Sequence, residues 1–363
     1  MVEGYLELYK RGFGFLRKIE NNLKIGEKDI FVPPQLIQKY GLTEGLFIEG
    51  ESQPNPENTK KSEQLRSILK INEMPVEEYQ DTSSLRDQVS ISPEDTLQAT
   101  LDDKDRMGKI LDMITPIGKG QRGLIVAAPK TGKTTILKHY AQAALQNHPD
   151  INVFVLLVDE RPEEVTDFRR ALPGAQVLYS SADESVNSHL RMTRLAMNVA
   201  IRQAEFGQDV FILIDSLTRM GRAFNKESES NGRTLSGGLG ANALAMPRRF
   251  FGSARNLEGG GSLTILATIL IDTGSRMDEI IFQEFKGTGN MELVLSKKCA
   301  EQRIFPAINI NASGTRKEEL LMDARRFREI AKLRSFLSQM HEVEAMRYLN
   351  EQIKDKSLQS LVG

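Results

Sequence analysis

The stretch AAPKTGKT (residues 127–134) sets Gly132, Lys133 and Thr134 in the order that grips nucleotide phosphate. The glycine lets backbone N–H groups close on phosphate oxygens, the lysine reaches the β- and γ-phosphates, and the threonine hydroxyl ligates Mg²⁺. The general pattern begins with Gly where this chain has Ala127. The context is the required one: an apolar strand, GLIVAA (123–128), enters the loop, and a helical run, TILKHYAQAALQ, leaves it. Two further apolar segments end in carboxylates. VFILID closes on Asp215, placed to hold a Mg²⁺ shell through water, and NVFVLLVDE closes on Asp159 and Glu160. A carboxylate just past a strand tip can orient and deprotonate an attacking water, which makes Glu160 the candidate base. Its other reading is a surface acid at a strand end. The Pro of RPEEV suits the first position of a helix.

A second constellation is YKRGFGFLRK (residues 9–18). On a strand, alternate residues share a face, so Arg11, Phe13, Phe15 and Arg17 point one way and Gly12, Gly14 and Leu16 the other. Two rings flanked by guanidiniums make a stacking platform for unpaired bases, with phosphate contacts at its ends. The alternative, that both rings are core, competes with Leu6, Leu8 and Leu16, which already supply the other face. The stretch resembles the first ribonucleoprotein motif of an RNA-recognition domain. Only about ten residues precede it, too few for the strand, helix and strand that domain needs first. Cold-shock and OB-type barrels accept aromatics on an early strand.

The elements that must position these groups divide the chain of 363 residues in three. Residues 1–75 read as five short strands of a small all-β OB/cold-shock-like barrel, residues 76–105 as a polar linker, and residues 106–363 as an α/β ATPase unit. In that unit GLIVAA, NVFVLLVD, VFILID and LTILATILID are continuous apolar runs, as in a parallel sheet covered on both faces. Residues 317–354 carry Leu320, Ala324, Phe327 and Ala331 at helical spacing and close the unit as amphipathic helices. Net charge is −1, so a nucleic-acid site must be local. One cysteine, Cys299, excludes an intrachain disulfide framework, and the four scattered histidines offer no metal-ligand spacing. No apolar run approaches the roughly 18 residues of a membrane span. With no basic-then-apolar leader pattern, the expectation is a cytoplasmic protein with no membrane partner.

In order along the chain, RGFGFLR, PIGKGQRGLIVAAPKTGKT, LLVDERPEEVT, IDSLTR, RRFFGSARN, GGSLTILATILIDTGSRMDE, FKGTGNMEL, FPAI and SGTRKEELL resemble the bacterial transcription termination factor Rho family. Members are homo-hexameric RNA-dependent ATPases and helicases with a RecA-like core, and their phosphate loop itself carries Ala at its first position. The resemblance covers nearly the whole chain. It implies ATP and Mg²⁺ as cofactors, and single-stranded nascent RNA and the RNA polymerase elongation complex as partners. It implies 5′-to-3′ movement along RNA that ends transcription. Gly118, Lys119, Gly120, Gln121, Arg122 and Gly123, with Lys130, Thr131, Gly132, Lys133, Thr134 and Thr135, would surround the nucleotide, and Arg161 would contact it. Phe305 would pack on the adenine. Arg316 would act as an arginine finger toward a neighbouring subunit, assisted by Arg303, and Arg219 would couple hydrolysis to RNA.

The primary RNA site would comprise residues 12–17, then Asp29, Ile30 and Phe31, then Glu63, Gln64 and Leu65, where Leu65 replaces an aromatic of the family. The central channel would be lined by Arg233, Thr234, Leu235, Ser236, Gly237, Gly238 and Arg276. A rotary-type ATPase subunit has a related core but lacks such a barrel. An RNA-binding regulator using ATP only for assembly needs no hydrolytic base.

Overall fold

The computed structural model of the chain describes residues 1–55, 63–79, 83–229, 240 and 242–353. The first unit is built from β1 (Val2–Leu8), β2 (Gly14–Arg17), β3 (Ile30–Val32), a short helix α1 (Pro34–Tyr40), β4 (Phe47–Pro54), β5 (Glu63–Ile71) and β6 (Met74–Pro75). The strands run in the order β3-β2-β1-β4-β5-β6, and a β3–β5 pairing closes them into a barrel. Leu6, Leu16, Val32, Leu46, Ile48, Leu65, Ile68 and Ile71 fill it. The last three are spaced by three residues, not two. On β5, Arg66 and Leu69 are extra residues skipped by the pairing to β4, which shifts register at both places. Each bulge turns the strand and resets which parity faces inward.

The second unit adds β7 (Ser90–Ile91), α2 (Arg106–Ile114), β8 (Arg122–Ala127), α3 (Lys133–Asn147), β9 (Asn152–Glu160), α4 (Pro162–Ala171), β10 (Gln176–Ser181), α5 (Val186–Glu205), β11 (Asp209–Asp215) and α6 (Leu217–Glu229). It continues with α7 (Ala245–Phe251), β12 (Arg255–Leu257), β13 (Ser262–Leu270), α8 (Arg276–Lys286), β14 (Met291–Val294), α9 (Lys297–Glu301), β15 (Gly314–Thr315), α10 (Ala324–Leu337) and α11 (Glu342–Ile353). The sheet order is β10-β9-β11-β13-β8-β14-β15, parallel from β10 through β14. One core cluster includes Leu137, Val155, Leu213 and Met346, and the other Leu156, Ile212, Leu195 and Phe285. Alternate residues of β9 and β11 therefore go to opposite faces, both covered, as the unbroken apolar runs require.

Residues 83–105, polar in composition, are laid on the second unit: Leu85, Leu97 and Ala99 are buried, and Leu85 N–H donates to the Glu205 carboxylate at 2.7 Å. The barrel sits on α5 and β10. Glu7 of β1 is buried between Arg17 (2.6 Å) and Arg191 of α5 (2.6 Å). Asn22 pairs with both backbone groups of Tyr179, at 2.8 and 2.9 Å. Gly45 has φ +92°, and a Cβ there would run into the Asn198 backbone, so the barrel and α5 approach as closely as glycine permits.

Candidate functional site

The phosphate loop leaves the carboxyl end of β8 and enters α3, with Gly132 at φ +98° as the N-cap residue. Inside the loop the Thr131 hydroxyl donates to the Ala128 carbonyl at 2.7 Å. Lys133 Nζ donates to both Asp215 oxygens, at 2.7 and 2.6 Å. Asp215 is fully buried and also accepts from the Thr268 hydroxyl at 2.7 Å. Glu160 stands at the end of β9, the strand beside β11, and is 1% exposed. Arg219 Nε lies 3.1 Å from its carboxylate and a second Arg219 nitrogen donates to the Asp159 carbonyl. Burial, then the nearby Asp215 charge, push the Glu160 carboxyl up to about 7, against the pull of Arg219 and Lys133. A group poised near neutrality is suited to take a proton from water. Thr134, with its hydroxyl 3.4 Å from Lys133 Nζ, and Asp215 supply the hard oxygen donors that Mg²⁺ prefers.

Phe305 is 49% exposed, and a Cβ on Gly132 would lie 4.0 Å from its ring, so the ring stands beside the loop where a base could stack. Lys130, Thr135, Arg161 and Arg303 are exposed at or near this end.

The opposite end of the sheet is basic. Gly118 to Gly123 lead into the start of β8, not its end: Lys119 pairs with Asp209, the first residue of β11, at 2.6 Å, and Gln121 donates to Asn290 at 2.7 Å. The six residues of β8, roughly 20 Å at about 3.3 Å each, separate Gly118–Gln121 from the phosphate loop. Within one chain the two segments therefore do not surround one nucleotide, because a loop before a parallel strand and a loop after it lie at opposite edges. With Arg255, Arg316 and Lys317, Gly120 and Arg122 line a cavity of about 540 Å³. Burial and then like charge hold the Arg122 guanidinium below its usual range, with Arg255 and Arg316 as the neighbours. Arg316 follows β15, whose Thr315 pairs with Met291 at the start of β14. Among the described residues its guanidinium has no carboxylate partner. Arg303, expected to assist Arg316, follows α9 near Phe305 at the phosphate-loop end, so within one chain the two arginines are at opposite ends.

The barrel's outer face carries a cluster of four rings: Tyr9, Phe13, Phe15 and Phe31. Tyr9 stacks on Phe13 at 5.3 Å between centroids, and Phe31 lies 5.6 Å from Phe13 and 5.7 Å from Phe15. Arg17 shares their face, its guanidinium 5.0 Å from the Phe15 centroid. It is 1% exposed, though, held by Glu7, Asp29 and the Tyr9 hydroxyl. The expected phosphate contact is corrected: a cation so enclosed braces the rings from beneath. Leu16 and Leu65, expected at the RNA surface, are barrel core at 2% and 1% exposed, Leu65 on the inward face it shares with Ile71 because the two β5 register shifts between them cancel. Ile30 packs partly on that core, and Gly14 is buried. Gln64 lies opposite Phe31, and the neighbouring Glu63 accepts from the Ser52 hydroxyl. Tyr9 was not foreseen. Its odd number, matching Phe13 and Phe15 across a turn closed by Tyr9 N–H to Phe13 O at 2.9 Å, is the signal that marks it.

Of the expected channel residues, Arg233, Thr234, Leu235, Ser236, Gly237 and Gly238 lie outside the described residues. Arg276 is exposed at the first position of α8, where Ser275 caps the helix and a cavity of about 380 Å³ opens.

Fold and site together define a P-loop ATPase core that carries an oligonucleotide-binding type of barrel. Residues 108–315 match the ATP synthase alpha/beta family, nucleotide-binding domain, and residues 2–77 match the Rho termination factor, RNA-binding domain. The transcription termination factor Rho of Cereibacter sphaeroides is 46% identical over 355 residues, 97% of this chain and 84% of that protein. That of Escherichia coli K12 is 45% identical over 356 residues, covering 96% and 83%. Among solved structures, a prototypical ATPase from the type III secretion system of pathogenic bacteria superposes with a TM-score of 0.63 at 20% identity, over 76% of this chain and 87% of that one. That likeness concerns the fold. The chain belongs to the transcription termination factor Rho family.

Proposed function

We propose that this protein hydrolyses ATP in response to single-stranded RNA and moves 5′ to 3′ along it, as a cytoplasmic homo-hexameric ring that acts on the RNA polymerase elongation complex and terminates transcription. The observation that carries this reading is the buried Glu160, tethered by Arg219 and standing beside Lys133 and Asp215, in a chain that also displays an outward cluster of aromatic rings. A base so prepared has no use in a protein that binds ATP for assembly alone.

Lys133 holds the phosphates once they draw it from Asp215, and Thr134 would ligate Mg²⁺ while Asp215 would hold its shell through water. When bound, the ion neutralises charge on the phosphate oxygens. Glu160 orients a water and accepts its proton. Phe305 and Arg161 receive the base and the phosphate side of the nucleotide. The separation of phosphate loop and arginine cavity to opposite ends of the sheet supports a head-to-tail, heterologous contact, which closes into a ring when the rotation allows. Arg316 and the 118–123 segment then meet the nucleotide of the next subunit. Residues 233–238 and Arg276 bind the RNA strand that enters the ring, and Arg219 couples that binding to Glu160.

The test is ATP hydrolysis by the full chain with and without pyrimidine-rich RNA. Stimulation by RNA is the expected result. Hydrolysis indifferent to RNA would contradict the RNA-dependent reading.

A further inference from the structure

Where the barrel meets the edge of the sheet, a cleft of about 580 Å³ runs between the β2–β3 connection and β10 with the end of α4. A second cavity, of about 470 Å³, shares Arg169 and Tyr179 with it and ends at Pro162, the first residue of α4. The two adjoin at these side chains, and together they are treated as one groove. It begins at Asp29, two residues before Phe31 of the ring cluster, passes Tyr179, and reaches the neighbourhood of Arg161.

We propose that this groove is an extension site for single-stranded RNA, taking the strand as it leaves the ring cluster. The inference rests on the RNA reading above. Four cations line the groove: Lys18, Lys24, Arg169 and Arg170. The two lysines are half exposed, and their carboxylate partners, Glu3 at 3.6 Å and Glu184 at 3.2 Å, make the loose surface pairs that a phosphate readily replaces. Among the described residues, Arg169 and Arg170 are exposed and have no carboxylate partner. Two acids, Glu20 and Asp29, also line the cleft, and Asp29 is already neutralised by Arg17.

Tyr179 supplies the stacking surface. Lys24 Nζ lies 5.4 Å from the centre of its ring, so the ring face is turned to the cleft. Asn22 fixes the residue through both backbone groups, so the ring is placed before any ligand arrives. A cationic groove with a fixed aromatic face is the general form of a sequence-tolerant single-strand site.

The test compares two RNA probes on the full chain: a pyrimidine dinucleotide, which the ring cluster alone accommodates, and an oligomer of about ten nucleotides, inside the usual span of about 4–16 per OB fold. In Lys24→Ala/Arg169→Ala, the longer probe should lose about tenfold in affinity and its salt slope should fall by about one to two. The dinucleotide should bind as before. Tyr179→Leu keeps apolar bulk and should weaken the longer probe with the salt slope unchanged. A 4-thiouridine placed beyond the dinucleotide should cross-link to the 176–181 segment. Unchanged affinity and slope for the longer probe would overturn the proposal. Equal loss for both probes would overturn it too, since that locates the effect in the barrel. Absence of binding by either probe to the unaltered chain would instead refute the RNA reading itself.

Discussion

The two ends of the parallel sheet are chemical opposites. At the carboxyl ends of the strands two buried carboxylates, Glu160 and Asp215, face one lysine, and the Glu160 carboxyl is pushed up to about 7. At the amino ends Arg122, Arg255 and Arg316 crowd one cavity, and burial lowers the first two guanidiniums. One end has the phosphate loop and the base, with Arg219 held on Glu160. The other gathers guanidiniums that have no carboxylate partner among the described residues, Arg122 and Arg255 donating instead to backbone carbonyls. The two ends are complementary in charge, as the proposed site shared between copies requires.

The largest expected effect follows from the basic end. Arg316→Ala should lower turnover by about 10³-fold or more, the usual scale for an arginine finger, while the chain still binds nucleotide. Retained turnover would mean that the basic cavity serves something else. At the acidic end, Glu160→Gln should cost about 10²- to 10⁴-fold in rate with nucleotide binding kept, because only the proton acceptor is lost. Lys133→Ala should instead weaken binding, and a direct titration of nucleotide separates the two. A change on the barrel should leave both ends alone. Phe13→Ala with Phe15→Ala should reduce RNA affinity by about tenfold or more per ring, from roughly 1–3 kcal/mol per stacked base. Unchanged affinity with a lowered melting temperature would make the rings structural.

The smallest effect is on pH. Glu160 accepts a proton from water only when ionised, so hydrolysis should fall as pH drops through about 7. Arg219 pulls that carboxyl downward, so Arg219→Gln should move the acid limb to higher pH. A limb that stays in place or moves down would show that Arg219 does not act on Glu160 through charge.

What the sequence disclosed follows the same contrast. A phosphate loop is local: strand, glycine, lysine and helix are contiguous, so Lys133 was legible. Asp215 and Glu160 were too, because buried parallel strands read as unbroken apolar runs that stop at an acid. Position relative to the sheet was not legible. Gly118–Gly123 sit only a few residues before the phosphate loop, yet a strand in between carries them to the far edge. In the barrel, parity placed Arg17 correctly on the face of Phe15. Its burial depends on Glu7 of β1 and on Asp29 in the connection just before β3, which no reading along one strand contains. The resemblance puts Leu65 at the RNA surface by its place in a motif, which does not say which face of β5 it takes; it takes the inward face that it shares with Ile71. The polar 76–105 segment looks like a tether, but Leu85, Leu97 and Ala99 are enough to lay it down on the second unit.

The complementarity of the two ends is tested most directly by mixing two inactive variants, Arg316→Ala and Lys133→Ala, before assembly. If the ends meet between subunits, some interfaces in a mixed ring combine an intact phosphate loop with an intact Arg316, and RNA-stimulated hydrolysis should reappear in proportion to those interfaces. Mixed rings that demonstrably form and still hydrolyse nothing would contradict the shared site.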